Sequence, residues 1–423
     1  MNSTPLRPII ICKVAITFLF VICISPGQSA GGYKIGVILA TSGPASEIGQ
    51  PEEKILRALM SYGELQSGAG RVTLEYRDSE GKPERALEYL EQFSKDPKVL
   101  AVIGPSTSGE AIPLARKAAE YQLPLLALAA SKKITQHPED PSRTNPWVFQ
   151  FAQNDALAAQ KLVTTLASQS GSTQKIAFLY SEDGFGKSGA EVFQEAAKRA
   201  SAIQVEDGAG KSGAEVFQEV AKRASAIQVA HHASYPPDLP HPEAVINAIP
   251  SEASAVVLWG TTPGPALLVA AMRKTKPNIP IYLSHGNASP AFLKAVGPAG
   301  EGVILMGSRV LLPLDASKDG STERDKAIHV FQRFWALRFD SPPSHFAGHA
   351  RDALYSALLA IEASSSPVSR DQILAALESL GTFTGVTGNF RFTPDDHAGL
   401  DQSALEVFVV RDGRFAILDA KKR

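Results

Sequence analysis

Cysteine is almost missing from this 423-residue chain: Cys12 and Cys23 are the only two, and both lie within the first 30 residues. Once that stretch is removed, neither a disulfide framework nor thiolate chemistry is available. Charge of one sign is missing too. The formal net charge is −1, which lacks the basic excess of a general nucleic-acid binder. Aromatic residues make up only 7%, so no aromatic-rich binding surface is implied. A hydrophobic run of membrane-spanning length is also absent. The one conspicuous apolar stretch, "VAITFLFVICIS" at 14–25, falls short of the ~20 residues a span needs.

That stretch has another reading. Arg7 and Lys13 precede it, and Pro26, Gly27, Ser29 and Ala30 follow, which is the three-part pattern of a secretory signal peptide. An uncleaved anchor is the alternative. Ile11 and Ile22 precede the two cysteines, where a lipoprotein signal would place a small residue. The rest is ordinary globular composition, 44% apolar and 20% charged, and long enough for two domains. Without cysteine, such a chain depends on its apolar cores.

Strand-like and helix-like segments then alternate. Lys34–Ala40, 72–78, 99–104 and 124–130 read as strands, with helices over 52–66, 83–93 and up to about Tyr121 between them. The pattern restarts at "KIAFLYS" (175–181) and continues through 255–260, a helix near 264–273, 279–284 and 301–307. Helices follow at 322–338 and 347–363, and the end of the chain looks like antiparallel hairpins. Alternation of this kind predicts α/β lobes with parallel sheets covered on both faces.

Residues 206–229 repeat 182–205 almost perfectly, with only Phe185/Ala209 and Ala196/Val220 differing. Each copy contains Gly-Lys-Ser, the ending of a phosphate-binding loop. That loop needs a glycine five residues before the Gly-Lys pair. Ser181 and Val205 stand there instead, so Gly-Lys-Ser is better read as opening a helix whose buried stripe is Ala190, Phe193, Ala197 and Ala200. Asp183–Gly186 follows a strand, where open α/β sheets bind ligands.

"YKIGVILATSGPASEIG", "VLAVIGPSTSGEA", "PLLALAAS", "KIAFLYSEDGFGKSGAEVFQEA" and "NASPAFLKAVGPAGEGV", in that order, resemble type I periplasmic binding proteins, above all the leucine/isoleucine/valine-binding receptors of ABC importers. The resemblance spans roughly 33–420 and rests on order and spacing. It implies two Rossmann-like lobes joined by a three-crossover hinge: 31–152 with about 312–386 as one lobe, and 153–311 with about 387–423 as the other, after a signal peptide at 1–30. It implies a periplasmic monomer that closes on a small amino acid or related carboxylate or amide and presents it to an inner-membrane permease. No cofactor, metal or nucleic acid is implied. A sensor of the same fold, reporting to a signalling partner, is the alternative.

Residue by residue, the resemblance puts Ser108, Ala129 and Ser131 on the ligand carboxylate. Phe185 takes the place of an aromatic lid. Thr261 or Thr262 falls in a cleft loop that is often aromatic in relatives, and Ile48 stands where tyrosine is common. His285 is the nearest polar group in the loop where amino-acid binders offer an acid to the ammonium, which leaves Glu182 or Asp183 as substitutes. Ser108 also lies at a helix start, which favours an anion, although Thr107–Glu110 is equally a capping box. His345, His349 and Asp352 share a helix face but lack a fourth metal ligand and read as packing. His231-His232 read as surface loop, and Asp395-Asp396 as a turn before the last hairpin. "GPSTSG" lacks the spacing of a nucleophile elbow, and no other catalytic set stands out.

Overall fold

A computed structural model describes residues 32–60, 65–67, 70–169, 174–202, 227–313 and 322–418. The expected signal peptide lies outside them. Among them, no helix is long and apolar enough to cross a membrane.

Two sheets organise the chain. The first contains β1 (Tyr33–Leu39), β2 (Leu65–Ser67), β3 (Gly70–Asp78), β4 (Val99–Ile103), β5 (Leu125–Ala127) and β6 (Val148–Gln150), in the order β2-β3-β1-β4-β5-β6. All its pairings are parallel except the β2–β3 hairpin. β4 reads Val-Leu-Ala-Val-Ile and is buried at every position, as a central parallel strand covered on both faces must be. One face is covered by α2 (Pro83–Lys95) and α3 (Ser108–Glu120) through Leu90, Phe93 and Leu114. The other is covered by α1 (Ser46–Leu59), with Ile55 and Leu56, and by later helices described below.

The second sheet contains β7 (Gln174–Ser181), β8 (Ile227–Tyr235), β9 (Ala255–Trp259), β10 (Ile281–Leu283), β11 (Ile304–Gly307), β14 (Glu406–Arg411) and β15 (Arg414–Ile417), in the order β15-β14-β11-β10-β9-β7-β8. Its first five strands in chain order are parallel, and the closing β14–β15 hairpin joins antiparallel to β11. α4 (Asp155–Gln169) and α5 (Gly184–Ala202) cover one face with Leu162 and Phe193. The short α6 (Pro242–Asn247), α7 (Gly264–Thr275) and α8 (Pro290–Val296) cover the other with Ile246, Leu268 and Phe292.

The chain then returns to the first lobe. α9 (Glu323–Ala336), α10 (His345–Ala363), α11 (Arg370–Ser379) and the β12–β13 hairpin (Thr382–Thr384, Asn389–Arg391) pack into the first sheet's core through Phe331, Ala353, Ile373 and Phe390. Leu400 and Ala404 belong to that core, whereas Leu405 belongs to the second. We therefore propose that the last crossing lies at 404–405, later than the 386–387 boundary expected from sequence. The Arg324 guanidinium braces this crossing, donating to the carbonyls of Thr387 and Ser403.

Two local expectations change. His231 and His232 belong to β8 rather than to a loop, and His232 stacks on Phe178 with centroids 5.6 Å apart. The first helix spans 46–59 rather than 52–66.

The repeat has a clear register. α5 is built from the first copy and ends at Ala202, and β8 begins at Ile227, within the second copy. Ile203-Gln204-Val205 and Ile227-Gln228-Val229 are identical, so the edge strand carries the second copy's Ile-Gln-Val. Residues 203–226 lie outside the described residues.

Candidate functional site

The loops that carry the candidate residues follow the carboxyl ends of parallel strands, so topology alone brings them to the facing edges of the two sheets. β4 leaves through Gly104 (φ 111°), a left-handed conformation that favours glycine. The chain then turns into α3. Thr107 caps that helix, accepting from the Glu110 N–H at 3.3 Å. Thr107 therefore serves as the cap, and Ser108 is left at the approach of the second lobe.

The lobes touch here. Ser108 Oγ accepts from the Ser131 N–H (3.2 Å), and the Ser131 and Ser188 hydroxyls are hydrogen bonded across the cleft at 2.6 Å. Ser188 lies on α5, so the starts of α3 and α5 meet. A Cβ on Gly184 would come within 2.7 Å of Gly109 Cα, so only glycine permits this approach. Two convergent helix N-termini favour negative charge between them. Outside the serines, Lys132–Glu195 and Lys133–Glu191 ion pairs bridge the lobes at 2.7 Å each. The Gln150 amide holds the second loop, donating to the carbonyls of Ala129 (2.8 Å) and Ser131 (3.1 Å).

Further in, the polar line continues to Asp155, the first residue of α4. Its carboxylate is buried, and neither oxygen has a partner in hydrogen-bonding geometry. Burial pushes its pKa up to about 7. Asp183 adds to the rise, while the nearby Ser188 hydroxyl and Lys132 oppose it. His285 Nε2 lies 3.9 Å from Asp155 Oδ1. Its ring is boxed edge-on by Phe185 and Trp259, at centroid distances of 5.4 and 6.0 Å. Behind it, α10 contributes His345 and His349, whose rings stack at 5.0 Å. Burial lowers the pKa of all three histidines, to about 4 for His285 and about 3 for His349. The imidazoles are therefore neutral near pH 7. Both nitrogens of His345 and Nδ1 of His349 have no partner, and neither nitrogen of His285 has one in hydrogen-bonding geometry, although the nearby Gln153 backbone opposes the fall in its pKa. Each such buried group costs about 1–3 kcal/mol if left unmet.

Of the residues expected from sequence, Ser108, Ser131, Phe185 and His285 are buried where the lobes meet, whereas Ala129 is buried in the first lobe's core. Thr261 and Thr262 lie half-buried after β9, and the Thr262 hydroxyl is unpartnered. Ile48 is buried on α1. The substitute acids are engaged elsewhere: Asp183 accepts from Ser181 Oγ and the Gly186 N–H, capping α5, and Glu182 accepts from Ser234. Sequence reasoning did not name Asp155, whose only signal was its place at a helix start just after a strand. The aromatic nearest the β9 loop is Trp259, the last residue of the strand itself. His345 and His349 face the same interface. Asp352 does not; it accepts from the Val386 and Thr387 N–H groups. Among the described residues, no cluster of three or more such side chains could hold a metal.

A family model described as periplasmic binding protein matches residues 32–206 and 193–414, the two matches overlapping at the repeat. Among solved structures, an extracellular ligand-binding receptor from Rhodopseudomonas palustris HaA2 is similar with a TM-score of 0.75 at 23% identity, over 92% of this chain and 100% of that one. A leucine binding protein from Thermotoga maritima MSB8 is similar at 0.70 and 16%, over 92% and 98%. A putative branched-chain amino acid ABC transporter from Rhodospirillum rubrum is similar at 0.60 and 23%, over 92% and 100%. No curated protein matches the chain in sequence.

Proposed function

The chain belongs to the periplasmic binding protein family, and on that premise we propose that it is the solute-binding component of an ABC importer, closing on a small α-amino acid and presenting it to an inner-membrane permease. Delivery to the periplasm through a cleaved signal peptide at 1–30 is part of this proposal, as is a monomeric state. The work is physical: ligand must bind the closed form better than the open one, or nothing moves.

One observation carries the reading: the polar line across the lobe interface has one end suited to an anion and a buried acid at the other. Ser108, at the start of α3, and Ser131, in the loop after β5 and hydrogen bonded to Ser188 of α5, would take the carboxylate. Asp155, buried and unpaired, would take the ammonium. A zwitterion satisfies both, and burying either charge alone would be costly. Ala129, Phe185 and Trp259 would enclose the apolar part, with Thr261 and Thr262 at the rim and His285 beyond the acid.

A thermal-shift panel of amino acids and their des-amino analogues tests this. A ligand at 100 times its dissociation constant should stabilise by about 2.7 kcal/mol. Ser131→Ala and Asp155→Asn should each weaken the response. If des-amino acids stabilise as well as amino acids do, the zwitterion reading is wrong.

A further inference from the structure

Three neutral imidazoles converge beyond Asp155, and the amino-acid reading leaves them without a task. Their donor and acceptor pattern can be worked out. Gln153 Nε2 donates to the Thr387 carbonyl (3.4 Å), which can only accept, so Gln153 Oε1 faces His349. His349 Nε2, 2.8 Å from that oxygen, therefore carries the proton. In a neutral ring this leaves Nδ1 as an acceptor, and Nδ1 is buried and unpartnered. His345 and His285 each add one donor and one acceptor, also unpartnered. The cluster thus asks its ligand for donors as well as acceptors.

We propose that the solute's side chain ends in a primary carboxamide, read by His285, His345 and His349. This rests on the amino-acid reading above and names the class of side chain. An aliphatic side chain would leave the cluster's five ring nitrogens unmet. A second carboxylate offers no donor to His349 Nδ1 and would be repelled by an ionised Asp155. A carboxamide brings two N–H donors and a carbonyl acceptor, carries no charge, and adds little bulk. A site whose buried groups are built for a polar partner rejects the apolar isostere strongly, because those groups are then desolvated for nothing.

Calorimetry on the purified protein can decide this with shape-matched ligands: asparagine against leucine and aspartate, glutamine against glutamate, and propionamide against propionate. The expected result is at least tenfold tighter binding of the amide in each set. His345→Leu and His349→Leu should each reduce that preference at least tenfold, and His349→Asn should retain more of it than His349→Leu. Leucine or an acid binding as tightly as its amide overturns the inference and leaves the amino-acid reading standing. A preference for propionamide with no binding of any amino acid overturns the amino-acid reading and keeps only the recognition of a carboxamide by the histidine cluster. Binding of none of these ligands overturns both. An amide preference unchanged in all the histidine variants also overturns the assignment to the cluster.

Discussion

Gly184→Ala should hold the lobes apart without unfolding either. The new Cβ would sit 2.7 Å from Gly109 Cα and N and 3.1 Å from the Ser108 carbonyl carbon. Ordinary contact needs at least 3.4 Å, so the starts of α3 and α5 must separate by roughly 1 Å, and every neighbour in the way is backbone. Overpacking of this kind costs about 1–3 kcal/mol. The Ser131–Ser188 hydrogen bond, worth about 1 kcal/mol, would lengthen with it, and the Lys132 and Lys133 ion pairs, exposed, add at most about 1 kcal/mol each. At about 1.4 kcal/mol per factor of ten, a penalty of about 1–3 kcal/mol lowers the closed-to-open ratio roughly 5- to 150-fold, and ligand affinity falls by the same factor. Neither lobe's core is touched, so the melting temperature without ligand should hold. The two native cysteines precede residue 31, so spin labels at Lys133→Cys and Glu191→Cys, whose native side chains meet across the cleft, can report closure directly in protein lacking that segment. The short-distance population should shrink in the Gly184→Ala background. An unchanged distance distribution with unchanged ligand affinity would refute the argument that glycine at 184 is needed for closure.

Two further outcomes follow from the same geometry. Asp155 has a folded pKa near 7 against an ordinary value of 3.8, so the stabilisation it offers is complete below about pH 4 and is lost as pH rises through 7. Asp155→Asn should therefore raise stability most above pH 7, by up to about 4 kcal/mol for a shift of some three units, measured as melting temperature from pH 5 to 9. An ammonium ligand needs the ionised acid, so wild-type affinity should drop about tenfold per unit below pH 7. Among the groups facing Asp155, His285 protonates only near pH 4, so a pH-independent affinity between 5 and 7 would remove Asp155 from the site. Deleting 203–226 joins Ala202 to Ile227 and restores a single copy of the repeat, the same product as deleting 206–229. Because β8 is an edge strand, the shortened chain should fold and melt cooperatively within a few degrees of the parent. Failure to fold would show that the insert is structural.

The fold was largely legible because its signals are local. Val99–Ile103 and Ala255–Trp259 are continuous apolar runs of strand length, and strands buried on both faces must be so. The restart at Lys175 marked the second lobe, and glycine spacing by itself ruled out a phosphate loop. Ser108 and Ser131 were named through the family resemblance, and Ser108 also lies at a helix start, where an anion is favoured. Asp155, Trp259, His345 and His349 were less legible. Each sits on an element with an adequate structural explanation of its own: a helix first turn, a strand end, a packing helix. Sequence alone determined two α/β lobes, the tandem duplication and an anion-favouring loop, because period and spacing are properties of neighbouring residues, whereas the structure placed the duplicated strand at a sheet edge. Only the tertiary structure decided that an acid from α4 and two histidines from α10, almost two hundred residues apart in the chain, share one buried interface, because burial and lost hydrogen bonds depend on what the other lobe brings against them.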